Sequence, residues 1–237
     1  MFTFCIQKDT IRVEPRDFHK EPADAIKEEI HRRYANRVIP GVGLCISLLD
    51  ILSSSEGAVL YGDGCFYYRT EFRLIIFRPY VGEAMLARVK SQSPDGIVVS
   101  VGFFDDMLIP PSLLPDYSTY DHERRSFFWL PADPDADHRP TVKEMLSSPE
   151  DDKLYVSKRD WLRVRVEEEH WDDTSPTSGK AKPPVAAAPG AAQAGGEQQP
   201  PAGAEVRTNG KPPYSLVCSM AEDGTGVLDW WEDAGDE

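Results

Sequence analysis

The chain has 237 residues and a net charge of −14, with no apolar run approaching the ~20 residues that a membrane span requires. That length suits two modest domains with a core each, and the charge excludes an autonomous high-affinity nucleic-acid binder, whose non-specific affinity comes from cations that neutralise phosphates. The opening "MFTFCIQKDT" lacks the charged start and long apolar core of a signal peptide, so a soluble intracellular protein with no membrane contact is expected.

In the first predicted strand Phe2, Phe4 and Ile6 alternate with Thr3, Cys5 and Gln7, a period of two that implies one buried face. A helix follows from Pro22, which suits a first helical turn. Ile26, Ile30 and Tyr34 recur every four residues, and Glu28 and Glu29 stand four before Arg32 and Arg33. This is an amphipathic helix lying on a sheet. After Gly41, "VGLCISLLDIL" is apolar on both faces, as a central strand would be. A short strand (58–61), the tight turn Gly62-Asp63-Gly64 and a long strand come next. In the long strand Phe66, Tyr68, Phe72, Leu74 and Ile76 share a face opposite Arg69, Glu71 and Arg73. The first domain, 1–80, is therefore read as β-α-β-β-β, a small α+β unit. Its 11 Lys/Arg balance 11 Asp/Glu, so the whole acidic excess lies beyond it.

A second set of strands fills 81–174: "EAMLARVK", the turn "SPDG", "IVVSVGFF", "DMLIP" and, after an interruption at 116–157 rich in aromatic and charged residues, "WLRVRVEEE". A last strand, "YSLVCSM", opens a closing segment at 214–231 that ends "GVLDWW", and an acidic tail covers 232–237. Five strands with short early turns and a long later connection predict an OB-type Greek-key barrel. Between 175 and 213 the chain is dominated by Pro, Ala and Gly; it cannot bury enough surface to offset its chain entropy, so a disordered insertion before the last strand is expected.

No catalytic set is written in the chain. His19, His31, His122, His138 and His170 stand apart, without an H-x-x-x-H or G-x-S-x-G pattern. Cys5, Cys45, Cys65 and Cys218 form no C-x-x-C pair and read as reduced, buried thiols rather than a metal or redox site. Gly41-Val42-Gly43 leads from a helix into a strand, the reverse of a phosphate loop. Asp105 and Asp106 lack a third carboxylate in register, and neighbouring strand side chains point apart, so no metal is expected. The basic candidates are Arg88 and Lys90 on one barrel strand and Arg163 and Arg165 on another. Each pair is spaced by two, which puts both cations on one face, able to follow a phosphate backbone or merely to be solvated.

A first domain running through "FRPYVGE" (77–83) into a barrel resembles the larger subunit of the two-protein stalk of archaeal and eukaryotic RNA polymerases. "VGFFDDMLIPP" (101–111) points to the RNA polymerase III version, and "GLCISLLDI", "GDG", "DTSPT" and "GVLDWW" are also similar to that subunit. The resemblance implies an RNP-like first domain followed by an OB-fold barrel, a non-catalytic role without cofactors, and nuclear localisation. Its implied partners are a smaller stalk subunit, the polymerase III core and, weakly, nascent RNA, with a part in transcription initiation. The turns at Pro40, Gly41 and Gly43 and at Gly62, Asp63 and Gly64 would then enter the polymerase core, and Arg88, Lys90, Arg163 and Arg165 would meet RNA. The rival reading is a free-standing OB-fold RNA-binding or translation factor, which calls for a basic barrel. An enzyme would need a clustered acid/base set.

Overall fold

The computed structural model describes residues 1–131, 140–172 and 212–232. Most of the expected insertion at 175–213, the "DTSPT" stretch, His138 and the acidic tail beyond 232 lie outside the described residues.

The N-terminal sheet is built on two long antiparallel strands, β1 (Phe2–Val13) and β5 (Phe66–Phe77), paired along their whole length. Between them the chain forms α1 (Pro22–Tyr34), β2 (Arg37–Ile39), β3 (Gly43–Ser54) and β4 (Ala58–Val59). The strand order is β1-β5-β3-β2, with β4 also on β5. Thus β2 is an addition to the expected β-α-β-β-β pattern, and β4 stops short of Leu60 and Tyr61, which are exposed. One face of the sheet is covered by α1, whose Ala25, Ile26 and Ile30 pack on Ile11, Phe72, Leu74 and Ile76. Burying one such aliphatic side chain contributes about 1.5–3 kcal/mol.

The opening strand corrects its sequence reading. Strand β1 continues through Ile11 and Val13, and those two odd-numbered side chains seat against the helix. Because strand side chains alternate, Phe2, Phe4 and Ile6 must point the other way, and Phe4 is 64% exposed. The expected helix pairs are also re-sorted. Glu29 meets Arg32 one turn on, Glu28 takes Lys20, and Arg33 reaches Asp9 at 2.9 Å.

The second unit is a closed barrel. Strands β6 (Ala84–Ser93), β7 (Gly96–Ser100) and β8 (Met107–Ile109) form a meander. After an inserted sheet of β9 (Ser118–Asp121), β10 (Ser126–Trp129) and β11 (Leu154–Tyr155), carrying α2 (Val142–Ser147), the barrel resumes with β12 (Trp161–Trp171) and β13 (Tyr214–Ser219). β12 pairs with both β6 and β13, and β13 runs parallel to β8, so the wall closes in the order β6-β7-β8-β13-β12. That closure makes the barrel an OB fold and leaves it no free edge across the wall. Inside it, Met85, Ala87 and Val89 of β6 face Leu162, Val164 and Val166 of β12, all buried. Short β14 (Gly226–Val227) adds to β12, and α3 (Asp229–Glu232) follows. Strand β7 ends at Ser100, so the expected extension through "VGFF" is a loop.

That loop explains "GFFDD". Phe104 is buried in the barrel core beside Tyr214 (5.6 Å between ring centres), and both Phe103 and Phe104 contact Phe77 at the end of β5 (5.0 and 5.3 Å). Phe77 and Leu44 belong to the barrel core, so the two sheets share apolar contacts at this corner. Arg78 secures it by pairing with Glu169 at 2.6 Å, lying over Trp171 and donating to the Gly41 carbonyl at 3.0 Å. Gly82 N–H donates to Val166 O, and Val166 N–H returns to Glu83 O. The sequences 77–83 and 101–111 are therefore two sides of one corner.

Candidate nucleic-acid interface

Antiparallel pairing of β6 with β12 sets Trp161 opposite Arg88, Arg163 opposite Leu86 and Arg165 opposite Ala84. With the intervening residues facing inward, Arg88, Lys90, Arg163 and Arg165 lie on one outer face of adjacent strands, ~4.8 Å apart. The structure thus brings the four predicted cations together. It also occupies each of them. Lys90 Nζ pairs with Asp105 at 2.6 Å, Arg165 pairs with Glu222, Arg163 donates to the Gly224 carbonyl at 3.3 Å, and Arg88 Nε donates to the Arg159 carbonyl at 3.0 Å.

The charges respond to these contacts. Glu222 raises the Arg165 guanidinium above its ordinary value, while Lys90 and then Ser100 hold Asp105 below the usual carboxylate range. Asp106 moves the other way, through burial first and the Asp105 charge second. Among the described residues no cluster of His, Cys, Asp and Glu could hold a metal.

Trp161 is the residue that charge spacing did not single out. It is 48% exposed, Arg88 lies over its ring at 5.1 Å, and it borders a cleft of about 420 Å³ with Arg88, Lys90, Ser100, Asp105 and Arg159. Its signal was present, since Trp161, Arg163 and Arg165 share strand parity. An exposed indole beside cations is a surface on which a base can stack. Arg159 carried no such signal, because it reaches the cleft from a turn.

The two predicted docking turns are far apart. Gly43 lies at the corner with the barrel: its φ is +144°, and an added Cβ would meet Ile76 Cγ2 at 2.5 Å and the Phe77 carbonyl oxygen at 2.7 Å. Pro40 and Gly41 belong to the same turn, closed by Val42 N–H donating to Ile39 O. Gly62, Asp63 and Gly64 lie beyond the opposite end of β5, whose 12 residues span roughly 36 Å at ~3.3 Å each. There Asp63 Oδ1 accepts the Cys65 N–H at 2.8 Å and its other oxygen accepts the Tyr67 hydroxyl, so its carboxyl is held low by Tyr67 first.

Residues 83–231 match the family described as RNA polymerase III subunit Rpc25, and residues 8–64 match the SHS2 domain found in the N terminus of Rpb7p/Rpc25p/MJ0397. A relative from Schizosaccharomyces pombe, "DNA-directed RNA polymerase III subunit rpc8", is 34% identical over 98% of this chain and 100% of its own. One from Bos taurus, "DNA-directed RNA polymerase III subunit RPC8", is 32% identical over 98% of each. The "DNA-directed RNA polymerase subunit Rpo7" of Saccharolobus solfataricus is 27% identical over 54% of this chain and 71% of its own.

Proposed function

Because this chain belongs to the family of RNA polymerase III subunit Rpc25, we propose that it is a non-catalytic stalk subunit of a nuclear RNA polymerase III. In this reading it pairs with a smaller stalk subunit, takes part in initiation and touches emerging RNA weakly through the outer face of β6 and β12. The observation that carries the reading is the near-full-length likeness to polymerase subunits spanning both units and the corner that joins them.

The exposed apolar side chains Phe4, Ile6, Leu49 and Leu52 on the N-terminal unit support life in an assembly, since such side chains need cover that the described residues do not supply. For polymerase docking the Gly62-Asp63-Gly64 turn is the better-placed of the two, because Pro40, Gly41 and Gly43 sit beside the barrel. A free-standing OB-fold factor would need uncompensated cations on the barrel wall, and two of the four there are salt-bridged to carboxylates. A tagged full-length chain should recover polymerase III subunits from its own cells, a small stalk partner among them. Recovery of ribosomal or translation components in their place would overturn the proposal.

A further inference from the structure

The inserted sheet meets the barrel beside β6, and Gln92 joins them: its Nε2 donates to the Val156 carbonyl at 2.7 Å and its Oε1 accepts the Phe127 N–H at 2.7 Å. Next to this joint is a cleft of about 280 Å³ lined by Gln92, Arg124, Arg125, Tyr155, Ser157 and Lys158. The turn 157–160 separates it from the Trp161 cleft. Asp160 N–H closes the turn on Ser157 O, Asp160 Oδ2 accepts Ser157 N–H at 2.7 Å, and Val89 clamps the turn to β6 by accepting from Arg159 N–H and donating to the Asp160 carbonyl. Lys158 therefore borders one cleft and Arg159 the other, on a turn clamped to the barrel.

Two features mark these cations, whereas on the strands Lys90 and Arg165 are held by carboxylates. First, Arg125, Lys158 and Arg159 have no ion pair among the described residues, in a chain of net charge −14 that pairs Lys90, Arg124 and Arg165 with carboxylates. Second, Arg125 has φ +55° and Arg159 φ +75°. They are two of the four non-glycine residues with positive φ among those described, at turn positions that favour Gly or Asn. Strain retained on an arginine in each of two turns, Arg125 after β9 and Arg159 before β12, neither of them ion-paired among the described residues, points to a use for their charge.

We propose that this cleft binds phosphates of single-stranded RNA and continues the β6–β12 face onto the inserted sheet. The inference rests on the RNA-contact reading above and extends it to a second, distinct surface. Arg125 and Lys158 take a phosphate in the inner cleft, Arg159 takes the next, and Tyr155 and Trp161 stand beside the two clefts as stacking surfaces. Arg124, already over the Tyr155 ring at 4.5 Å and paired with Glu150, holds that ring in place.

The test uses the full-length protein, a fluorescent 18-nucleotide oligouridylate and anisotropy across a salt series. The cleft variant combines Arg125→Gly, Lys158→Gln and Arg159→Gly. The two glycines relax the backbone, so its melting temperature should equal or exceed that of the wild type, while RNA affinity falls at least tenfold. With ~0.7 counterions released per phosphate, losing the two phosphate contacts these cations make should flatten the salt slope by ~1.4. Arg163→Gln with Arg165→Gln is the barrel control. Loss of binding in the control alone would overturn the cleft and leave the barrel reading standing; loss in the cleft variant alone would do the reverse. Full binding by both would overturn the two together.

Discussion

The barrel and the N-terminal sheet dispose of their strand faces differently. In β6, Met85, Ala87 and Val89 point into a closed wall while Arg88 and Lys90 point out, so the barrel encloses most of its apolar side chains, with Leu44 and Phe77 of the other sheet joining its core, and shows cations on its exterior. The N-terminal sheet has a single helix to cover it. Its inner face holds Ile11, Phe72 and Leu74, but Phe4 and Ile6 remain exposed on the other. The difference teaches that exposed apolar side chains and outward cations are concentrated on separate units, joined at the Phe77–Phe104 corner, so the proposed protein contact and the proposed RNA contact can be tested apart.

Removing everything after residue 213 tests the self-sufficiency of the barrel and should have the largest effect. β13 bonds to both β8 and β12, and Tyr214, Leu216 and Cys218 are each 0% exposed, so the truncated wall loses its closing strand and much of its core. Loss of cooperative barrel unfolding in a thermal melt is expected. Replacing 175–211 by about 10 Gly/Ser residues should change stability by only ~1 kcal/mol. Its flanks are already joined, since Asp172 N–H donates to Pro213 O at 3.1 Å. Equal melting of the two variants would break the comparison.

The two sides of the N-terminal sheet should separate in one strand. Ile11→Ala, at a site 0% exposed, should cost about 3 kcal/mol by urea unfolding, and Ile6→Ala, at a site 56% exposed, less than ~0.5 kcal/mol. If Ile6 is a partner contact, its variant should recover less polymerase at unchanged stability. Gly43→Val follows at about 2 kcal/mol, because its Cβ would strike Ile76 and the Phe77 carbonyl. Gly64→Val meets open space and costs only its positive φ, ~1 kcal/mol. A melt ranks these two, and co-purification should register Gly64→Val more strongly if that turn enters the polymerase.

Much of this was legible in sequence. Spacing by two put Arg88 with Lys90 and Arg163 with Arg165 on one face, as found, while the motifs at 77–83 and 101–111, quoted for their resemblance alone, turn out to meet at the corner. The outward turn of Phe2, Phe4 and Ile6 was not legible from six residues, since parity is decided by Ile11 and Val13 further along β1. Bulges in β3 after Cys45, Leu48 and Ile51 likewise shift which side chains share a face. The neutralisation of the strand cations could not be read either: Asp105 and Glu222 lie 15 and 57 residues from their partners. Arg125 and Arg159 were missed because strand spacing says nothing of a turn's φ.

The smallest expected effect sharpens the barrel side of the comparison. Asp105 is held below its usual range by Lys90 and Ser100 in the folded chain, so it stabilises the fold above its unfolded value of ~3.9, and that contribution fades as pH falls through the lower folded value. With the pair half-exposed, screening limits the contribution to at most ~0.5 kcal/mol. Asp105→Asn should therefore be slightly less stable than wild type near pH 7 and should converge with it as pH falls below the unfolded value of ~3.9 in urea titrations. The same change releases Lys90. If the β6–β12 face meets RNA, the variant should bind oligouridylate more tightly, with a salt slope steeper by ~0.7. A variant that loses stability yet gains nothing in slope would mean that Lys90 does not face the nucleic acid, and would move the contact away from this end of β6.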